Sequence, residues 1–243
     1  MVTETANTAR RGRMAAIAAW LRLRRGVIAV TLLFALFACL TFFIKLPQSR
    51  QWDADVSRFV QRADTPLLTT LCEGLTALGT GGGLLILSLP VGVWLWRTRR
   101  PVGAILFPLT VAGHAINIAV KALFNRPRPG VDDHVLVILA AQGSSFPSGH
   151  AQAATLFFGF LAVLIAIHVR TRRARHVLIA AAVVVALAIC YSRVYLGGHF
   201  LSDVVGGIAA GLICLWGWTQ FYRRFAAQEF APQASNNTGS SDG

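Results

Sequence analysis

Three short stretches of this chain combine ionisable side chains with glycine or proline, and each lies beside strongly apolar sequence. They are KALFNRPRP, PSGH and SRVYLGGHFLSD. Charged groups at membrane depth are costly and usually functional. Three cations could neutralise the charge that spreads over phosphate oxygens in a phosphoryl-transfer transition state. The candidate site comprises three cations, two histidines, one carboxylate and one hydroxyl: Lys121, Arg128, Arg193, His150, His199, Asp203 and Ser148.

The two histidines suit different steps of such a reaction. His199 and Asp203 are four residues apart, which places them on one face if they share a helix. Asp203 could then accept the Nδ1 proton and leave Nε2 of His199 free to attack phosphorus. His150 could give a proton to the leaving oxygen and later take one from water. The glycine pair at 197–198 would break the chain and let Arg193 turn toward the site.

Backbone groups and cations near the second stretch could hold the phosphate. A helix is predicted to begin at PSGH with Ser148 as its cap, so that the amides near Ser148 and Gly149 point at an anion. Arg126 and Arg128 each precede a proline, which disfavours helix. The preceding helix should therefore end near Asn125 and leave Arg128 on an extended arm. Arg126 is predicted to be a surface charge.

No metal or other cofactor is expected. Only one carboxylate accompanies the two histidines, and three nearby cations would repel a metal ion. The cations themselves could supply the charge neutralisation that a metal provides elsewhere.

The elements that must position these residues are membrane helices. Of 243 residues, 55% are hydrophobic and 14% are charged, whereas about a quarter are charged in a typical soluble domain. Six blocks without Asp, Glu, Lys or Arg approach the length of roughly 20 residues that spans a bilayer. A large soluble all-α protein is disfavoured, because its helices would show polar faces. The six blocks are residues 27–44, 74–96, 101–120, 151–167, 177–192 and 204–222.

The charge distribution predicts how these helices are oriented. Fifteen of the 23 Lys and Arg residues lie before the first block, after the last, or in the two loops on that same side. The positive-inside rule therefore places both termini in the cytoplasm and the candidate site at the outer face of the plasma membrane. The net charge of +13 is thus a topology signal, and no nucleic-acid partner is expected.

Three regions are predicted along the chain. Residues 1–25 form a basic cytoplasmic or interfacial segment, residues 26–224 a six-helix membrane domain, and residues 225–243 a disordered cytoplasmic tail. Within the domain, residues 45–73 form a long outer segment. Its apolar residues recur at helical spacing, which is typical of a helix lying on the membrane surface. They are Trp52, Val56, Phe59 and Val60.

The three stretches resemble the signature of the type 2 phosphatidic acid phosphatase superfamily, which is Lys-x6-Arg-Pro, Pro-Ser-Gly-His and Ser-Arg-x5-His-x3-Asp. All three parts match in order, and the likeness extends to the helix count. The resemblance implies an all-helical fold and metal-independent hydrolysis, with His199 as nucleophile, Asp203 orienting it and His150 as acid and base. It also implies phosphate binding by the following residues: Lys121, Arg128, Ser148, Gly149 and Arg193.

The expected function is hydrolysis of a lipid phosphate or diphosphate by an integral membrane enzyme. Undecaprenyl diphosphate and phosphatidylglycerol phosphate are the favoured substrates, and phosphatidic acid and lipid A phosphates stay open. Two alternatives keep the same site: a lipid phosphotransferase that passes phosphate to another lipid, and an inactive lipid-phosphate binder. A haloperoxidase activity, known in the same superfamily, is disfavoured by the spanning blocks. The sequence does not indicate an oligomeric state.

Overall fold

The computed structural model describes residues 2–139 and 142–226, and every regular element in these ranges is helical. Within these ranges nine α-helices follow one another, with short 3-10 turns at Thr110–Ala112 and Val131–Asp133. The α-helices are α1 (Val2–Phe43), α2 (Pro47–Gln61), α3 (Pro66–Leu78), α4 (Gly81–Arg97), α5 (Pro101–Leu109), α6 (Gly113–Lys121), α7 (Gly149–His168), α8 (Arg172–Tyr195) and α9 (Leu201–Phe225).

The predicted all-α membrane bundle is confirmed. Five helical segments of the described chain are long and apolar enough to cross a membrane, or six if the bent pair α3–α4 is one span. The segment Pro101–Lys121 joins α5 and α6 through the 3-10 turn. Pro108 lies just before that turn and has no N–H to donate to a helical bond. The five segments are Leu23–Phe43, Pro101–Lys121, Gly149–His168, Arg172–Tyr195 and Leu201–Phe225.

The predicted second span differs from the structure. Residues 74–96 do not form one helix, because the chain bends by 70° between α3 and α4. Thr80 starts α4 as its N-cap, and its hydroxyl accepts a hydrogen bond from the Gly83 amide at 3.1 Å. Glycines around this cap also lower the helix propensity. The bend leaves α3 packed against α8, where Thr76 Oγ1 lies 2.9 Å from Ser192 Oγ.

Helix α7 is the centre of the bundle and packs most extensively against α9 and α8. Its aromatic residues Phe157 and Phe160 are buried, and the Phe157 ring lies 4.7 Å from that of Phe107. Helices α6 and α8 end, and α7 and α9 begin, at one end of the bundle, which we call the site end. Helix α6 ends at Lys121, four residues earlier than predicted.

The outer segment contains helix α2, which turns polar residues toward the protein and aromatic residues outward. Helix α2 buries polar or small residues, including Asp53 and Ser57, whereas Trp52 and Phe59 are 70% and 67% exposed. A helix with polar groups turned to the protein and aromatic residues turned outward suits the border between protein and lipid. Its position on the membrane surface stays a prediction.

The assignments of the two terminal regions stay predictions. Most of the basic segment 1–25 belongs to α1, which runs without a break from Val2 into the first span. At the other end α9 reaches Phe225, and residues 227–243 of the predicted tail lie outside the described residues.

Candidate active site

His199 lies at the site end in the short connection between α8 and α9. It is 2% exposed. Its Nε2 atom is 3.2 Å from Nη1 of Arg128. A guanidinium can only donate hydrogen bonds, so this contact requires an Nε2 that carries a lone pair. The proton of the neutral ring is then on Nδ1, which is the form a nucleophilic imidazole needs.

The contact between Asp203 and His199 is less direct than predicted. The two residues do not share a helix, because His199 precedes α9 and Asp203 lies in its first turn. The distance from Nδ1 to Asp203 Oδ2 is 3.6 Å, too long for a good hydrogen bond. Ser145 lies between them: its hydroxyl donates a short hydrogen bond to Asp203 Oδ2 and is 3.4 Å from Nδ1.

The electrostatic surroundings keep His199 neutral. Burial lowers the pKa of this imidazole to about 4, because the charged ring loses its hydration. The charges of Arg128 and Arg193 act in the same direction, and the Asp203 carboxylate opposes them. At neutral pH the Nε2 lone pair is therefore available.

Two of the predicted phosphate-binding cations are held by backbone carbonyls. All five N–H donors of Arg128 have acceptors: the carbonyls of 142–144, that of Gly198, and His199 Nε2. Lys121 donates from Nζ to the Ser144 carbonyl at 2.9 Å. The Ser144 carbonyl accepts from both side chains, which places Lys121 next to Arg128.

Arg193 approaches the site from the last turn of α8. It is 2% exposed, and Nη1 donates to Thr76 Oγ1 at 2.8 Å. Its Nε is buried and has no hydrogen-bond partner among the described residues. The glycine pair makes room for it, since a Cβ on Gly198 would lie 2.4 Å from Arg193 Nη2. Gly197 has a φ of +67°, which favours glycine and turns the chain as predicted.

His150 lies in the first turn of α7. Its Nε2 is buried without a hydrogen-bond partner among the described residues. It interacts electrostatically with Arg193, His199 and Lys121, so the predicted groups do converge. Buried polar atoms in proteins usually have hydrogen-bond partners. A ring nitrogen without one suits an imidazole that exchanges a proton with a substrate oxygen.

The predicted anion site at the start of α7, formed by the amides near Ser148 and Gly149, agrees with the structure only in part. Ser148 is the N-cap as expected, and its hydroxyl accepts a hydrogen bond from the Ala151 amide. Its own amide is not free, because it donates to the Asp203 carbonyl at 2.9 Å. Gly149 is the first helical residue, where an N–H has no acceptor within the helix. A Cβ at Gly149 would also lie 2.9 Å from Asn117 Oδ1, so glycine is needed for helix packing.

The prediction that Arg126 is a surface charge is wrong. Only 8% of the residue is exposed. Nη1 donates to Asp203 Oδ1 at 2.6 Å, and Nη2 donates to Asp53 Oδ2 at 2.8 Å. Its backbone also positions the serine beside His199, since the Ser145 amide donates to the Arg126 carbonyl at 2.8 Å. The guanidinium therefore binds two carboxylates and is not directed at a phosphate.

We expect Ser145→Ala to lower the turnover rate about 10- to 100-fold. The hydroxyl links the carboxylate of Asp203 to Nδ1 of His199, and losing one buried hydrogen-bond partner costs about 1–3 kcal/mol. Steady-state phosphate release measures the effect. Ser88→Ala provides the comparison, since Ser88 is also buried but lies in α4, where its hydroxyl donates to the Leu85 carbonyl. Equal rates for wild type and Ser145→Ala would show that Asp203 orients His199 without the serine.

The geometry and the comparisons with known proteins agree. The sequence profile described as the PAP2 superfamily matches residues 102–226, which include all three signature stretches. The chain belongs to the PAP2 superfamily. The predicted resemblance is therefore confirmed, and PAP2 is the short name for the type 2 phosphatidic acid phosphatase family named above.

Two curated PAP2 relatives come from Bacillus subtilis (strain 168). The chain is 28% identical to phosphatidylglycerophosphatase B over 199 residues, covering 79% of this chain and 96% of the relative. It is 30% identical to an undecaprenyl-diphosphatase over 127 residues, covering 51% of this chain and 60% of the relative.

A solved structure supports the same fold. The crystal structure of a transmembrane PAP2-type phosphatidylglycerolphosphate phosphatase from Bacillus subtilis superimposes with a TM-score of 0.73 and 26% identity. The superposition covers 80% of this chain and 96% of that chain, so the likeness extends beyond the signature to nearly the whole bundle.

Proposed function

We propose that this protein hydrolyses the phosphate ester or diphosphate of a membrane lipid through a phosphohistidine at His199, with its site at the outer face. The broader assignment, a PAP2-type membrane lipid phosphatase, rests on the family match and on the relatives. The observation that carries the mechanism is the paired environment of His199: an oriented Nδ1 on one side and Arg128 beside Nε2 on the other.

The first step transfers the phosphoryl group to the protein. The Nε2 lone pair of His199 attacks phosphorus and forms a P–N bond while the bond from phosphorus to the lipid oxygen breaks. That oxygen keeps the bonding electrons and receives a proton from His150. The positive charge that develops on His199 is stabilised by Asp203, directly and through Ser145.

The second step returns the protein to its starting state. A water molecule attacks phosphorus from the face that the lipid oxygen has left, and His150 takes one of its protons. The P–N bond breaks, its electrons return to His199, and orthophosphate leaves. The three cations at the site neutralise the negative charge in both transition states. These cations are Lys121, Arg128 and Arg193.

The location of the site favours a lipid substrate. The reactive groups lie at the site end of the bundle, beside helices that could span a membrane. A lipid could keep its chains in the bilayer while its headgroup reaches His199. Undecaprenyl diphosphate and phosphatidylglycerol phosphate are the favoured substrates, since the curated relatives are named for reactions on these two classes.

Phosphate release from purified protein in detergent tests the proposal. Four lipids are compared with and without a chelator: undecaprenyl diphosphate, phosphatidylglycerol phosphate, phosphatidic acid and a lipid A phosphate. We expect turnover of one or both favoured lipids that survives the chelator. Labelled phosphate should appear as orthophosphate. Label in a second lipid would favour a phosphotransferase, and lipid binding without release would favour an inactive binder.

The pH dependence of kcat/KM should reflect the neutral state of His199. Protonation removes the attacking lone pair, so activity falls as the pH drops through the pKa of His199, which burial lowers to about 4. The acidic limb that belongs to the protein should therefore lie well below the ordinary value near 6.5. A substrate phosphate ionises near pH 6 and is titrated separately in the same detergent. A protein limb at or above 6.5 would contradict this prediction.

A further inference from the structure

We propose that Asp53 and Arg126 are positioning residues for catalysis. In this arrangement α2 holds Arg126, Arg126 holds the carboxylate of Asp203, and Asp203 sets the orientation of His199. The inference rests on the proposed function, because it assigns these residues to the same site. It gives α2 a role in the reaction, although α2 lies outside the three signature stretches.

The geometry forms a continuous chain of contacts from α2 to His199. Arg126 bridges Asp53 Oδ2 at 2.8 Å and Asp203 Oδ1 at 2.6 Å. The other oxygen of Asp203 accepts from Ser145 and, at 2.9 Å, from the Phe200 amide. Both carboxylate oxygens of Asp203 are thus held, so the direction it presents to His199 depends on Arg126.

The three charged side chains of this arrangement are all buried. The side chains of Arg126, Asp53 and Asp203 are 7%, 5% and 0% exposed. Removing one partner of a buried ion pair leaves an uncompensated charge and strongly destabilises the arrangement. The Arg126 guanidinium also lies 4.9 Å from the centre of the Phe200 ring, next to His199 in the chain. With both ends on carboxylates, Arg126 orients a neighbouring acid and leaves phosphate binding to the other cations.

Asp53 also fixes the start of α9. Its Oδ1 accepts from the Ser202 amide at 3.0 Å, and its Oδ2 accepts from the Ser202 hydroxyl at 2.5 Å. The Ser202 amide belongs to the first helical turn, where N–H groups need an acceptor from outside the helix. Arg126 Nη1 also donates to the Ser202 hydroxyl, at 2.7 Å. Asp53 therefore holds the residue immediately before Asp203 by both its backbone and its side chain.

A change of charge at Asp53 or Arg126 should alter how readily His199 is protonated. Charged and titratable groups face the His199–Asp203 pair from every element that surrounds it. Removing the Asp53 charge leaves the positive charge of Arg126 less compensated and makes protonation of His199 harder. Removing the Arg126 charge does the opposite. The surrounding groups are Asp53 on α2, Lys121 on α6, Arg126 and Arg128 in the linker, His150 on α7 and Arg193 on α8.

The test compares four variants in detergent: Asp53→Asn, Arg126→Gln, Arg126→Lys and Asp55→Asn. The last is a matched control, since Asp55 is also an acid of α2 but is exposed and pairs with Arg58. Imidazole NMR follows the titration of His199, whose signal is identified by its loss in His199→Ala. Phosphate release gives kcat and KM on the same samples.

We expect opposite shifts from the two charge-removing variants. The titration midpoint of His199 should move down by about one pH unit in Asp53→Asn and up by a similar amount in Arg126→Gln. Turnover should fall about 10- to 100-fold with little change in KM. Arg126→Lys keeps the charge and should restore the midpoint. Asp55→Asn should match wild type in all three quantities.

Unchanged midpoints in both Asp53→Asn and Arg126→Gln would overturn the inference, and so would equal shifts in Asp55→Asn. If Arg126→Gln does not fold, the downward shift in Asp53→Asn and the unshifted midpoint in Arg126→Lys decide the matter. The NMR titration needs no turnover. A wild-type protein that releases no phosphate from any of the four lipids would contradict the proposed function, while the midpoints would still test the inference.

Discussion

Replacing His199 with alanine is expected to lower the rate of phosphate release by about a thousandfold or more. The variant keeps the cations but loses the atom that forms the P–N bond. Any remaining turnover would come from water attacking a phosphate held by those cations. The measurement is phosphate release under saturating lipid, with the amount of folded protein established by thermal unfolding in the same detergent.

A second histidine variant controls for the substitution itself. His176 is an exposed residue of α8 near its start, at the end of the bundle away from the site. His176→Ala should release phosphate at the wild-type rate. If His199→Ala and His176→Ala were both as active as wild type, His199 would not be the nucleophile.

Replacing His150 with alanine should have the second largest effect, a loss of about 10²- to 10⁴-fold on lipid substrates. The lipid alkoxide is a poor leaving group unless it is protonated, and Nε2 of His150 is buried without a hydrogen-bond partner among the described residues. A substrate with an activated leaving group, such as p-nitrophenyl phosphate, needs no proton in the first step. With that substrate the phosphorylation rate of His150→Ala should approach that of wild type.

The two steps should then separate in His150→Ala. Without a base to take a proton from water, the phosphohistidine formed from p-nitrophenyl phosphate should accumulate, and nitrophenol should appear in a burst. Rapid mixing with absorbance detection measures that burst. Equal losses on lipid and activated substrates, without a burst, would show that His150 supports the structure of the site and not the proton transfers.

The sequence was informative wherever one residue type at a fixed spacing carried the signal. Charge-free blocks predicted the spans, and the paired glycines predicted the turn that brings Arg193 to His199. The blocks were defined by their composition, however, and composition does not reveal a bend within an apolar run. The break at Thr80 arises because a local hydroxyl cap starts a new helix there. Its consequence, Thr76 placed against Arg193, was therefore missed.

Contacts between segments distant in the chain could not be predicted from the sequence either. Arg126 precedes a proline beside a polar linker, a setting that usually indicates an exposed charge. Its burial depends on Asp53, 73 residues earlier in the chain. Ser145 is one of several serines in its stretch, and only the pairing of its backbone with Arg126 brings it to His199. Asp53 in α2 was the available signal, since a helix lying on a membrane does not need an acid on its protein-facing side.

Trapping the covalent intermediate tests the central claim most directly. His150→Ala is mixed with labelled p-nitrophenyl phosphate and quenched in alkali, which preserves phosphohistidine, and the labelled peptide is mapped by mass spectrometry. The mechanism predicts a single labelled site at His199 that forms at the rate of the burst and is absent in the His150→Ala/His199→Ala double variant. Label on another residue, or a nitrophenol burst in His150→Ala with no labelled protein, would contradict it.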